Sequence, residues 1–255
     1  MSSELYSIDW LDSESLFAYA NGGQTSSLWN GRRVTLQDVN LSKCRIGGIN
    51  GVNTTFKEAV NHAEYVRSFT PGLAINWVYN RSNGLILDGL ETFFLNYGGF
   101  SPNTAAQLLK NWNAFHEENQ EDPDIKYLQI CHSQGAVHVR NALADAPKKI
   151  RDHVIVVAIA PAVVIPDKSC FKSFNYASEK DVIPNIELVR LGIFDTSEFG
   201  VSKVLEMALE QREELIILPA HLEAVGIDHD FQSATYAKTI KDHMEDYVAR
   251  KGVYK

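Results

Sequence analysis

Cysteine is scarce in this 255-residue chain, which has only Cys44, Cys131 and Cys170. They are widely spaced and form no C-x-x-C pair, which excludes a zinc ribbon or a disulfide framework as the organising device. Eight histidines occur, yet none at the H-x-x-x-H or H-E-x-x-H spacing that turns two imidazoles toward one ion on a helix face. His229 lies between Asp228 and Asp230, but adjacent residues rarely converge on a single ion, so no metal and no other cofactor is expected. Long apolar runs are also missing. The longest, residues 154–160, is far too short to span a bilayer. Residues 1–10 are polar and slightly acidic, with no cationic stretch leading into an apolar one, so no Sec signal is visible. Cationic excess is absent: 24 Lys and Arg stand against 32 Asp and Glu, a net charge of −8. That argues against a nucleic-acid partner, whose affinity comes mainly from cationic contacts to phosphate. The expectation is a cytoplasmic protein without stable membrane insertion; export by a route that leaves no simple N-terminal signal is compatible with the same sequence.

Apolar residues make up 45% of the chain and charged residues 22%, enough to bury a sizeable core. Residues 1–43 read as an N-terminal extension with short strands around 16–20 and 33–36, punctuated by Asn-Gly turns. No linker or repeat separates them from residues 44–255, so a single domain is expected. From residue 44 the pattern alternates. Strands are predicted over 44–49, 73–79, 125–130, 154–160, 171–177 and 215–218. Helices are predicted from Thr55, where Glu58 completes a capping box, over 85–97, from Ser101-Pro102 by cap and N1 proline, and over 136–144, 201–209 and 233–248. The run 154–160 is apolar throughout, as a parallel strand covered on both faces requires. Strand–helix alternation of this kind gives an α/β fold, a mostly parallel central sheet with helices on both faces. Functional groups in such sheets gather at the carboxyl ends of the strands.

The most informative stretch is Cys131-His132-Ser133-Gln134-Gly135, set between an apolar strand and a helical pattern. Small-x-Ser-x-small in that setting is the nucleophile elbow, a turn so sharp that large neighbours would clash with strand and helix. The serine oxygen then stands at a helix N-terminus, where backbone N–H groups favour developing negative charge. A serine needs a general base, and the base an orienting acid, in the order Ser, Asp or Glu, His. Asp181 follows the strand 171–177, and His229 precedes the last helix; each interval is 48 residues, room for a helix-plus-strand unit. Glu179 is the rival acid and His221 the rival base. The loop after the last strand must reach back to the nucleophile, which favours His229. Two backbone donors are expected for the oxyanion: the N–H of Gln134, and that of Val52 in the Gly-Ile-Asn-Gly-Val-Asn turn, with Asn53 the near alternative.

Plainer readings stand beside these. Any x-x-Ser-x-Gly occurs by chance; Asp181 before a proline turn is ordinary loop chemistry; His229 fits the first turn of a helix. His132 reads as a packed or hydrogen-bonding neighbour, and His138 as structural. His62, His116, His153 and His243 read as surface or helix-face residues. The apolar stripe 85–95 is most simply core, with an acyl pocket or a small lid as the alternative.

Together these residues resemble the α/β-hydrolase superfamily on its lipase and esterase side. Residues 130–143 and 156–162, with the Gly-Ile-Asn-Gly-Val-Asn-Thr turn and the Asp-His-x-Phe segment, look like a serine-hydrolase-like family from chlamydiae and their relatives. Cys131 stands where the lipase pattern more often has glycine. The resemblance implies the fold and serine-centred acyl transfer without a cofactor; the narrower one implies no substrate. The resulting expectation is a serine esterase acting on a small-molecule or acylated substrate through an acyl-enzyme on Ser133. A thioesterase- or amidase-type effector that removes an acyl or peptide modifier from proteins is one alternative. A non-catalytic binding protein on the same fold is another.

Overall fold

The computed structural model describes residues 15–18, 43–73, 75–80, 102–181, 183 and 213–255. Seven strands form one sheet: β1 (Ser15–Ala18), β2 (Arg45–Ile49), β3 (Ile75–Val78), β4 (Tyr127–His132), β5 (Val154–Ile159), β6 (Lys172–Ser178) and β7 (Leu215–Leu218). Their spatial order is β1-β3-β2-β4-β5-β6-β7. β1 pairs antiparallel with β3, and every other pairing is parallel. The helices are α1 (Phe56–Ser68), α2 (Pro102–Glu118), α3 (Gly135–Asp145), α4 (Lys148–Arg151) and α5 (Ala234–Ala249). This strand order, with an antiparallel strand at the β3 edge and a sharp strand–turn–helix at β4, is the α/β-hydrolase fold.

The period-2 alternation of β5 explains the layering. Val154, Val156 and Ala158 point into a core with Ala105, Leu108, Trp112 and Phe115 of α2 and Ala136, Val139 and Leu143 of α3. Ile155, Val157 and Ile159 point into a second core with Ala59 and Val66 of α1 and Tyr236, Ile240, Met244 and Tyr247 of α5. A strand apolar at every position is therefore buried on both faces. Each layer is anchored by a fully buried tryptophan, Trp112 on one side and Trp77 on the other, each contributing roughly 4–6 kcal/mol by area burial.

The expected capping box starts α1. The Thr55 side chain accepts from Glu58 N, and the Glu58 carboxylate accepts from Thr55 N at 2.7 Å. Two expectations need correction. His62, read as a surface or helix-face residue, is buried while Phe56 on the same helix is 41% exposed, and Phe231 packs on the His62 ring at 4.8 Å. His153, read in the same way, is also buried, edge-on against His116. Tyr236 lies on the buried face of α5, where its hydroxyl finds main-chain partners. Cys170 ends a short 3-10 turn ahead of β6, buried as a small apolar group. The strand read at 33–36, the helices read at 85–97 and 201–209, Ser101 and the stripe 85–95 lie outside the described residues. No helix among the described residues is long and apolar enough to cross a membrane.

Candidate active site

β4 ends at His132, and the chain turns at once into α3. Ser133 sits in that turn with φ 50°, in the left-handed region where a side chain is strained. Main-chain bonds hold it there. Ser133 N donates to Ile159 O at 3.3 Å, while Ser133 O accepts from Ala136 N at 3.1 Å and Ala162 N at 3.0 Å. The turn is as tight as its residue types require. A Cβ on Gly135 would lie 3.0 Å from the carbonyl oxygens of Ile49 and Asn50. A Cβ on Gly51 would lie 2.7 Å from Ser133 Cβ and 3.3 Å from its Oγ. The loop after β2 therefore packs closely on the serine: an added carbon at 51 forces something to shift, and one at 135 is tight against main-chain oxygens.

His229 reaches this serine from the loop between β7 and α5. Its Nε2 lies 2.8 Å from Ser133 Oγ, and its Nδ1 lies 2.8 Å from Asp181 Oδ2. The Asp181 side chain is fully buried, and its other oxygen accepts from Ile183 N at 3.0 Å. A carboxylate only accepts, so Nδ1 carries the hydrogen and Nε2 is left to take one from Ser133. The rivals are elsewhere engaged: Glu179 accepts from Ala220 N at 3.1 Å, and His221 is exposed with its Nδ1 accepting from Glu223 N.

The loop that carries His229 is held by side chains. His132 Nε2 donates to His229 O at 2.8 Å. Burial, together with the neighbouring His229, pushes the His132 imidazole down to about 3, so it stays neutral in that tautomer. The Asp228 carboxylate accepts from Ser233 Oγ and, at 2.6 Å, from Thr235 Oγ1. Burial opposes its charge, but hydrogen bonds from Ser178, Ser233 and Thr235 outweigh that and hold the carboxyl below its ordinary value. Tyr236 Oη accepts from Ser178 N at 2.8 Å and donates to Asp228 O at 3.1 Å, tying the acid-bearing strand to the histidine-bearing loop. Phe231, fully buried against His62 and His132, anchors the loop's far side.

Gln134 stands at the N-cap position of α3 and is buried. Val52 is half-buried one residue beyond Gly51, and Asn53 is exposed at φ 56°. Sequence reasoning passed over Tyr236, the clamp at Asp228, and a buried amide set formed by Asn50, Asn80 and Gln134. The Asn50–Asn80, Asn80–Gln134 and Tyr236–Ser178 bonds join segments far apart in the chain, so no local pattern marks them; the Asp228 bonds to Ser233 and Thr235 are local, five and seven residues apart. No group of three or more His, Cys, Asp or Glu suited to a metal occurs among the described residues.

No family model matches the chain, and no curated protein matches it. Among solved structures it is similar to a carboxylesterase from Mesorhizobium loti, at 12% identity over 81% of this chain and 88% of that one, with a TM-score of 0.42. The carboxylesterase of Bacillus cereus is similar at 15% identity over 81% and 90%, with a TM-score of 0.43. Esterase PE8 is similar at 12% identity over 80% and 92%, with a TM-score of 0.48.

Proposed function

We propose that this chain is a serine hydrolase that cleaves a carboxylic ester through an acyl-enzyme on Ser133. One observation carries the reading: His229 bridges Ser133 Oγ and the buried Asp181 carboxylate, 2.8 Å on each side. His229 Nε2 takes the serine proton as Oγ bonds to the substrate carbonyl carbon, and the carbonyl π pair moves onto oxygen. The N–H groups of Gln134 and Val52 receive that oxyanion. The intermediate collapses, the carbon–oxygen bond to the alcohol breaks, and His229 returns the proton to the departing oxygen. Water, deprotonated by the same imidazole, then releases the acid and restores Ser133. Asp181 keeps the hydrogen on Nδ1 and stabilises the imidazolium; it takes no proton itself. Thioesters and amides fit the same steps.

The test is covalent and kinetic together. A fluorophosphonate probe labels the wild type, and Ser133→Ala abolishes both labelling and turnover of short p-nitrophenyl esters. Hydrolysis persisting in pure Ser133→Ala refutes the assignment. A folded wild type with no turnover and no labelling favours the binding-protein alternative.

A further inference from the structure

Three amide side chains join the carboxyl ends of β2, β3 and β4 beneath the serine. Asn50, directly after β2, is completely buried. Its Nδ2 donates to Gly51 O at 2.9 Å and to Asn80 O at 3.0 Å, and its Oδ1 accepts from Asn80 N at 3.0 Å. One side-chain amide thus satisfies both main-chain groups of Asn80 and continues the β2–β3 ladder past the point where the strands part. Asn80 is itself buried, and its Nδ2 donates to Gln134 Oε1 at 2.7 Å. Gln134 follows the nucleophile, and Gly51 precedes Val52. The chain of bonds therefore begins at one proposed oxyanion donor segment and ends at the other.

We infer that the buried Asn50–Asn80–Gln134 amide chain positions the two oxyanion-binding segments against each other, with Asn80 as the positioning residue at its centre. This rests on the serine-hydrolase reading. Closer approach is limited sterically, since a carbon added at Gly51 would lie 2.7 Å from Ser133 Cβ and one at Gly135 would lie 3.0 Å from the carbonyl oxygens of Ile49 and Asn50. Nothing steric stops them from separating, and the amide chain supplies that restraint. Hydrogen-bonded polar groups in a low-dielectric site hold geometry more firmly than apolar packing, since leaving any of them unpaired is costly. Donors preset for the oxyanion act in the transition state, so loosening them lowers kcat more than it raises KM.

The experiment pairs kinetics with an analogue. Asn80→Ala and Gln134→Met, the latter similar in length but without a carbonyl acceptor, are each compared with wild type. The readouts are kcat, KM and the affinity for a boronic acid that adds to Ser133 as a tetrahedral adduct. The expected result is a fall in kcat of about 10- to 100-fold with KM within about threefold, and an equal loss of boronate affinity. The double variant falls no further than the worse single one, because both break one chain. A lowered melting temperature with kcat and boronate affinity unchanged overturns the inference and leaves the amides as fold stabilisers. If Asn80→Ala does not fold, Gln134→Met decides alone. Failure of the hydrolase reading is distinguishable, since it shows as hydrolysis in Ser133→Ala, whereas failure here leaves that control inactive.

Discussion

The two halves of the candidate site are built differently. The serine half is held by the main chain: Ser133 N and O bond to backbone at residues 159, 136 and 162, and glycines at 51 and 135 allow the close approach. The histidine half is held by side chains, with Asp181 on His229, His132 on the His229 carbonyl, and Asp228 and Tyr236 on the loop. A main-chain scaffold tolerates changes of chemistry but not of volume. A side-chain scaffold tolerates changes of volume but not of one donor or acceptor. Apart from the Asn50–Asn80–Gln134 amides beside the serine, substitutions that keep shape and alter hydrogen bonding should therefore strike the histidine half, and substitutions that add one carbon should strike the serine half.

The largest effect expected is from Asp181→Asn, which preserves shape almost atom for atom. The amide presents either N–H or C=O to Nδ1. If it presents N–H, Nδ1 must accept and the hydrogen moves to Nε2, so the base is lost. A fall in kcat of about 10⁴-fold follows, with little change in melting temperature. Activity within tenfold of wild type breaks the comparison outright, because the buried carboxylate would then not set the tautomer.

Gly51→Ala tests the other half with a single methyl group. The added carbon meets Ser133 Cβ at 2.7 Å and His132 Nδ1 at 3.0 Å. Either the loop or the serine must shift by several tenths of an ångström, and displacements on the scale of 1 Å cost about 100-fold in rate. The expected loss in kcat is about 10- to 100-fold, with overpacking destabilising by about 1–3 kcal/mol. Wild-type kinetics would mean that the loop after β2 yields freely, and that the serine half is not held by contact.

The β4–α3 unit also responds to acid. His132 and His138, both on the β4–α3 unit, are buried; burial lowers both, His132 to about 3 and His138 to about 4. In the unfolded chain each returns to about 6.5. Between those values the unfolded state binds more protons, so stability is fully present above pH 6.5 and is lost as pH falls below it. At pH 5 each imidazole has removed about 2 kcal/mol. Urea midpoints at pH 7 and pH 5 measure the loss, and His138→Gln should flatten the dependence. An unchanged slope in that variant would show that His138 is charged or solvated in the folded protein.

Much of this arrangement is legible in the sequence, and the reason is local chemistry. The elbow is a five-residue pattern with a strand before it and a helix after. The Thr55–Glu58 box spans four residues, and β5 is apolar at each position. Ser133, Asp181 and His229 could be singled out because each sits next to a readable element in a required order. What could not be read has no local signature. Asn80 meets Asn50 across 30 residues and Gln134 across 54, and Tyr236 meets Ser178 across 58. Asparagine at a strand end and tyrosine in a helix are unremarkable in one dimension. His62 and His153 were misplaced for a related cause: a neutral imidazole can be buried against aromatic rings, and no periodicity distinguishes that from a solvated face.

The smallest effect sharpens the comparison by its absence. His221 and His229 lie in the same loop, yet His221 is exposed, with its ring bonded to Glu223 in its own turn. His221→Ala removes one exposed hydrogen-bond acceptor and an ion pair at 4.0 Å that is open to solvent. Exposed pairs of that kind contribute little. Ester turnover and its pH profile should match wild type within about twofold, whereas His229→Ala should abolish turnover. A large loss in His221→Ala would mean that the loop exchanges its two imidazoles at Ser133, and that the side-chain bonds on Asp228 and His229 do not hold it in one arrangement.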